Sequence, residues 1–107
     1  MSVSEISVTE LKALEPSDIV IIDVRESDEY VIGHIPGAIS IPLSVVQQSV
    51  DAFRHDRPVY VVCQVGGRSQ RACEFLEDYD IISTNVSGGT GAWVISGFDV
   101  VVGVTPG

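Results

Sequence analysis

The sequence has little of several features that mark particular classes of protein. Only two of its 107 residues are cysteine, Cys63 and Cys73. Two are too few for a disulfide framework, and neither lies in a cysteine and histidine cluster that could hold zinc, so no metal is expected. Basic residues are also scarce, since six Lys and Arg against fifteen Asp and Glu give a formal charge of −9. That charge would repel phosphate groups, which disfavours a nucleic-acid or anionic-membrane partner.

Long apolar runs are missing as well. No uncharged stretch approaches the ~18 residues of a membrane span. The N-terminal residues MSVSEISVTELKALE do not combine a basic region with a following apolar stretch, as a leader peptide would. The expected location is the cytoplasm, where thiols stay reduced. Because 45% of the residues are apolar, residues 1–107 can bury one core, and we expect them to form a single domain.

Short apolar segments alternate with stretches of helical character, which predicts an α/β fold. Strands are predicted at 19–22, 39–41, 59–63, 85–86 and 100–102. Helices are predicted from a capping box at Ser7 to about residue 14, from an N-cap at Ser27 over 28–32, at 43–53, at 68–79 and around Trp93. The buried stripe of the fourth helix would be Ser69, Ala72, Cys73, Leu76 and Tyr79.

The most informative segment is CQVGGRS, residues 63–69. Cys63 leaves the carboxyl end of a predicted buried strand, and a turn containing glycine leads directly into a predicted helix. The free amides of a helix's first turn and of the loop converge at such a point, and the helix dipole adds positive potential. A thiol there can have its pKa lowered from about 8.5 into a range of roughly 3.5 to 7.5. We therefore expect Cys63 to be reactive, although the segment could also be an ordinary strand end followed by a turn.

Two of the six basic residues, Arg68 and Arg71, lie close to this cysteine. Arg68 ends the loop, where its guanidinium could meet an anion, and Arg71 follows one turn later. A local positive site would attract a small anionic substrate even though the whole chain is acidic.

Four separated segments resemble the rhodanese family of sulfurtransferases, in order along most of the chain. They are IIDVRESDEY from Ile21, GHIPGAISIP from Gly33, VYVVCQVGGRS from Val59 and VSGGTGAW from Val86. The resemblance implies a five-stranded parallel sheet with helices on both faces. It also implies a cysteine, here Cys63, that alternates between thiolate and persulfide without any metal or organic cofactor. The amides of Gln64, Val65, Gly66, Gly67, Arg68 and Ser69 would hold the outer sulfur.

The spacing between cysteine and arginine bears on which chemistry this resemblance implies. In phosphatases of the same fold, the corresponding loop resembles Cys-x5-Arg. A phosphate needs a wider ring of amides than one sulfur atom does. The spacing here is Cys-x4-Arg, from Cys63 to Arg68, which favours sulfur transfer. Gln64 and Val65 are uncharged, unlike the corresponding residues of well-studied thiosulfate enzymes in the family.

Other candidate residues have both a structural and a functional interpretation. Asp23 follows the first predicted strand and is expected to accept backbone hydrogen bonds in the next turn, or else to contact the loop. Arg25 could line the pocket or pair with Glu26 or Glu29. His34 is expected to pack in a turn, since the sequence near it shows no partner for catalysis.

Residues further from the loop are interpreted as structural. His55 should lie at the surface, and Cys73 should be buried too far along its helix to pair with Cys63. Trp93 and Phe98 are expected to cover the core.

Three functional hypotheses follow from the sequence. The first is a sulfurtransferase that takes sulfur from a small anionic donor such as thiosulfate and passes it to cyanide, a small thiol or a thioredoxin-like protein thiol. The second is a binding or regulatory module that keeps the fold without turnover. The third, which the short loop disfavours, is a phosphatase or arsenate-type enzyme.

Overall fold

The computed structural model describes residues 3–107, which form a five-stranded parallel sheet with helices on both faces. The strands are β1 (Ser4–Ile6), β2 (Val20–Asp23), β3 (Ile39–Ser40), β4 (Val59–Val62) and β5 (Thr84–Val86). Their order across the sheet is β1-β5-β4-β2-β3, and every neighbouring pair is parallel. The expected α/β class and strand number are confirmed.

Four α-helices and three short 3-10 segments connect these strands. The α-helices are α1 (Val8–Lys12), α2 (Ser27–Ile32), α3 (Gly67–Glu77) and α4 (Gly89–Ile95). The 3-10 segments are Pro16–Asp18, Leu43–Gln48 and Val50–Phe53. Within residues 3–107, no helix has both the length and the apolar character needed to cross a membrane.

The alternation of side chains along β2 divides the core between the two faces of the sheet. Val20 and Ile22 belong to one buried cluster and Ile21 to another, as the two-residue repeat of a strand requires. The first cluster includes Val46, Phe53, Cys73 and Leu76, and the second includes Leu11, Tyr30, Ile35 and Trp93. All four residues of β2 are buried, which confirms that helices cover this strand on both sides.

The fifth strand lies at the opposite end of the chain from its predicted position. It is β1, which pairs with β5 in the register Ser4–Thr84 to Ile6–Val86. The prediction of a strand at 100–102 is wrong, because Val101 forms only an isolated antiparallel bridge with His34. The segment Ser-Glu-Ile carries no apolar run, so only its backbone pairing with β5 defines it as a strand.

The predicted helix at 43–53 is also wrong in type. It forms two 3-10 segments that meet at Ser49, whose φ of −122° is not helical. The amides of Ser49 and Arg54 donate to carbonyls three residues earlier, which tightens each turn. Val46 and Phe53 are nevertheless buried, as their apolar spacing suggested.

Helix ends differ from the sequence predictions in two further places. The N-cap of α2 is Glu26 and not Ser27, and its amide donates to the Glu29 carboxylate at 3.2 Å. Tyr79 is not part of the buried stripe of α3, because that helix ends at Glu77 and leaves Tyr79 43% exposed. The capping box of α1 is confirmed, since Ser7 Oγ accepts the Glu10 amide at 3.1 Å and Glu10 accepts the Ser7 amide at 3.0 Å.

Replacing Leu76 by alanine should test the packing of α3 against the sheet. Leu76 is fully buried, so Leu76→Ala should lower the free energy of unfolding by about 2–5 kcal/mol through lost burial and a cavity. Urea denaturation followed by circular dichroism measures the change. The control Ile82→Ala removes a side chain that is 74% exposed and should change stability by about 0.5 kcal/mol or less. Equal losses in the two variants would contradict this assignment of the core.

Candidate active site

The sheet places Cys63 at its carboxyl edge, directly beyond the last residue of β4. Strand β4 lies beside β2 with Asp23 opposite Val62, so both loops that carry candidate residues leave the same edge. Cys63 is 1% exposed. Gly66 is the N-cap of α3 with a φ of +113°, a conformation that glycine adopts without steric cost. The predicted order of strand, glycine turn and helix is therefore present.

The sulfur of Cys63 receives hydrogen bonds from the loop and from the first turn of α3. The Gly66 amide donates to Sγ at 3.1 Å, and the Ser69 hydroxyl donates to it at 3.3 Å. Burial raises the pKa of this thiol, but the Ser69 hydroxyl and the amides of Ser69, Gly66 and Val65 outweigh it and hold the pKa below its usual value. The thiolate therefore forms more readily at Cys63 than on a free cysteine.

Asn85 organises the hydroxyl that contacts this sulfur. It lies on β5 and is 2% exposed, and its Oδ1 lies within hydrogen-bond distance of Ser69 Oγ, whose single proton can face either this oxygen or Cys63 Sγ. Its Nδ2 donates to the Gly66 carbonyl at 3.2 Å, which fixes the turn before α3. In the sequence, Asn85 stands out only as a residue of a predicted strand. A polar side chain at the carboxyl end of a buried strand is the signal that could have marked it.

The first turn of α4 holds the backbone of the loop. The amides of Thr90 and Gly91 donate to the carbonyls of Cys63 and Gln64, each at 2.9 Å. These contacts satisfy helix-terminal amides that would otherwise lack partners. Gly89 must be glycine here, because its φ is +61° and a Cβ would collide with the Cys63 carbonyl oxygen. Gly89 therefore permits the contact between α4 and the loop.

Asp23 and Arg25 form a buried ion pair beside the loop. Asp23 Oδ1 accepts the Arg25 amide at 2.9 Å, so the expected backbone hydrogen bond is confirmed. The Arg25 guanidinium contacts Asp23 Oδ2 at 2.9 Å and donates to the Gln64 side chain at 3.2 Å. Its predicted pairing with Glu26 or Glu29 is wrong, whereas the predicted position at a pocket is present.

Arg68 is held by α2. Its two terminal nitrogens donate to the two carboxylate oxygens of Glu29 at 2.7 and 2.9 Å, a bidentate pair. The hydrogen bond from Arg68 lowers the pKa of Glu29 to about 2, and the same contact raises the pKa of Arg68 further above its already high value. The guanidinium expected to meet an anion thus has a resident carboxylate partner, which the sequence spacing of 39 residues did not indicate.

The second cysteine provides a contrast with Cys63 within the same chain. Cys73 is 1% exposed in the core and forms no disulfide with Cys63. Burial raises the pKa of its thiol to about 11. It has the structural position predicted for it.

Both histidines also occupy structural positions. His34 is buried and stacks on Tyr30, and its two ring nitrogens lie 2.8 Å from the carbonyl oxygens of Tyr30 and Thr105. His55 is exposed. Across residues 3–107, no three His, Cys, Asp or Glu side chains are grouped to hold a metal ion. Trp93 is buried and packs edge-on against Phe98, as expected for aromatics that cover the core.

Comparisons with known proteins agree with this fold and loop. The model of the rhodanese-like domain matches residues 7–96. YtwF of Bacillus subtilis, provisionally named a sulfurtransferase, is 33% identical over 95 residues, which cover 87% of this chain and 92% of YtwF. The thiosulfate sulfurtransferase GlpE of Pseudoalteromonas translucida is 32% identical over 97 residues, which cover 87% of this chain and 90% of GlpE.

A solved structure extends the agreement to three dimensions. The crystal structure of a rhodanese-related protein from Thermoplasma volcanium is similar with a TM-score of 0.82 and 31% identity, covering 92% of this chain and 97% of that one. The chain belongs to the rhodanese-like domain family, whose relatives of similar length carry sulfurtransferase names.

Alkylation should distinguish the two thiols. Cys63 should react with iodoacetamide at a lower pH than a free cysteine does, because hydrogen bonds stabilise its thiolate, while Cys73 should react only near pH 11 or on unfolding. Ser69→Ala removes one donor and should move the midpoint for Cys63 to higher pH. Peptide-resolved mass spectrometry of labelling rates measures both midpoints.

An exposed serine far from the loop provides the control for this experiment. Ser17→Ala, in the 3-10 segment Pro16–Asp18, should leave the midpoint for Cys63 unchanged. A wild-type midpoint equal to that of free cysteine would show that the loop does not activate this thiol.

Proposed function

We propose that the protein is a sulfurtransferase in which Cys63 carries a sulfane sulfur as a persulfide. The observation that carries this proposal is the environment of Cys63 Sγ, which has an amide donor at 3.1 Å and a hydroxyl donor at 3.3 Å. Cys73, with its pKa raised to about 11, has no comparable activation. The family relationship and the name of GlpE, a thiosulfate sulfurtransferase, favour the same chemistry.

In the first half-reaction, the Cys63 thiolate attacks the outer sulfur of thiosulfate. The new S–S bond forms as the S–S bond of thiosulfate breaks, and sulfite leaves with the bonding electron pair. The product is an anionic persulfide. Hydrogen bonds from backbone amides of the loop and the dipole of α3 would stabilise its negative charge. The amides are those of Gln64, Val65, Gly66, Gly67, Arg68 and Ser69. No external oxidant or reductant is needed.

In the second half-reaction, a nucleophile attacks the outer sulfur of the persulfide. Cyanide would leave as thiocyanate, whereas a small thiol or a thioredoxin-like protein thiol would leave as a persulfide, and each regenerates the Cys63 thiolate. This is a ping-pong reaction that needs no metal or organic cofactor. We place the reaction in the cytoplasm, where thiols stay reduced.

Intact-mass spectrometry should detect the intermediate directly. Incubation with thiosulfate should add one sulfur atom to the wild-type protein, and cyanide should then remove it with release of thiocyanate. Cys63→Ser should abolish the adduct, whereas the matched control Cys73→Ser should keep it. An adduct that follows Cys73, or none at all on the wild type, would refute the proposed function and favour a module without turnover. Hydrolysis of an aryl phosphate faster than thiosulfate use would favour phosphatase chemistry instead.

A further inference from the structure

A cavity of about 330 Å³ lies between α2, the loop after Cys63 and α4. Three aliphatic side chains, Ile32, Val94 and Val100, line it, and each is between 38% and 77% exposed. Its volume is at the lower end of the range for small-molecule sites, which is roughly 300–1,000 Å³.

This cavity borders the backbone of the candidate nucleophile. Gln64, the residue after Cys63, is one of its lining residues. Thr90 is another, and its amide donates to the Cys63 carbonyl at 2.9 Å. A molecule in the cavity would therefore lie next to the peptide units that position Cys63.

The cavity carries no unpaired charge among the residues that the structure describes. Arg25 and Glu29 are its charged lining residues. The Arg25 guanidinium is paired with Asp23 and also donates to the Gly33 carbonyl at 2.7 Å. Glu29 is paired with Arg68 through two hydrogen bonds. The ionic groups around the cavity thus neutralise one another, so an anionic molecule finds no free cation there.

One polar group in the cavity has no partner. Thr90 is 3% exposed, and its Oγ1 makes no hydrogen bond with residues 3–107. Leaving a buried hydroxyl unpaired costs about 1–3 kcal/mol. An occupant that carries one uncharged hydrogen-bonding group could satisfy this hydroxyl.

We propose that this cavity binds the acceptor of the sulfur atom, and that the acceptor is a small thiol with an aliphatic chain, one neutral polar group and no ionic group besides the reacting sulfur. The inference rests on the proposed function and names its acceptor class. Ile32, Val94 and Val100 contact the aliphatic chain, and the Thr90 hydroxyl pairs with the polar group. Thr90 is thus a specificity-determining residue.

The transfer step requires nothing beyond the two sulfur compounds. The acceptor, as thiolate, attacks the outer sulfur of the Cys63 persulfide and forms a new S–S bond. The bond between that sulfur and Cys63 Sγ breaks, and its electron pair returns to Cys63 as thiolate. The proton lost by the acceptor goes to solvent, and the product is an organic persulfide.

The experiment starts from protein already loaded with sulfur by thiosulfate and then desalted, so that only the acceptor step is measured. Mass spectrometry follows the loss of the added sulfur with three acceptors, which are 1-propanethiol, 1-butanethiol and the anionic 2-mercaptoethanesulfonate. Each rate is divided by the concentration of the acceptor's thiolate, so that differences in thiol acidity do not affect the comparison. The rate with 1-butanethiol should exceed the rate with 1-propanethiol by up to about fourfold, because butanethiol has one more methylene to bury in the cavity. Butanethiol should exceed mercaptoethanesulfonate by roughly tenfold or more. Equal rates, or a faster anion, would overturn the inference, whereas failure to load at all would refute the proposed function instead.

Matched variants test the cavity itself. Val94→Asp places a charge on its wall and should lower the rate with butanethiol by roughly fivefold or more. The control Ile82→Asp, at a residue outside this cavity that is 74% exposed, should not change it. Equal effects of the two aspartates would exclude the cavity as the acceptor site.

The role of Thr90 is tested by a ratio of two acceptors. Thr90→Val keeps the shape of the side chain and removes the hydroxyl. The ratio of the rate with 4-mercapto-1-butanol to the rate with 1-pentanethiol should fall by roughly threefold to tenfold in this variant. That is the change expected from the loss of one hydrogen bond. A purely structural hydroxyl would leave that ratio unchanged, which would remove Thr90 from the proposal.

A last variant tests whether the pairing of charges around the cavity disfavours anionic acceptors. Glu29→Gln removes the carboxylate that pairs with this guanidinium. The rate ratio of mercaptoethanesulfonate to butanethiol should then rise by roughly fivefold, because the variant removes a negative charge from the cavity wall and leaves the neighbouring Arg68 unpaired. An unchanged ratio would show that the pairing of Glu29 with Arg68 does not decide acceptor charge.

Discussion

The two hydrogen bonds from the first turn of α4 to the carbonyls of Cys63 and Gln64 are the contact on which the site depends. They join a helix near the C-terminus of the chain to the loop after β4, and they fix the orientation of the loop peptides. With those carbonyls engaged, the Gly66 amide is directed at Cys63 Sγ. The close approach is possible only because Gly89 has no Cβ.

Charge around the loop is balanced by ion pairs between separate elements. Asp23 after β2 holds Arg25, and Glu29 of α2 holds Arg68 of α3. The second pair joins α2 to α3, and the Gly66 amide, not a guanidinium, contacts the sulfur of Cys63. Because Arg25 and Arg68 are each engaged by a carboxylate, neither guanidinium is a free cation beside the loop.

The two cysteines show how one fold sets opposite properties in the same kind of side chain. Both are 1% exposed, so burial alone would raise the pKa of each thiol. The pKa of Cys73 follows burial and rises to about 11. Cys63 has donors from the loop and from Ser69, and these reverse the direction of its shift. Hydrogen bonds to the sulfur, and not exposure, therefore account for the difference between the pKa values of the two thiols.

Local patterns in the sequence were sufficient for the α/β class, the inner strands β2 and β4, the capping box of Ser7 and the position of Cys63 before a glycine turn and a helix. These depend on periodicity and on turn residues, which act over a few positions. Tertiary structure decided the edge strand β1, the partner of Arg68 and the role of Asn85. Each of these depends on a contact between residues that are far apart in the chain. Ser69 and Asn85 are 16 positions apart and Arg68 and Glu29 are 39 apart, whereas β1 and β5 lie near opposite ends, and no short pattern encodes such a contact.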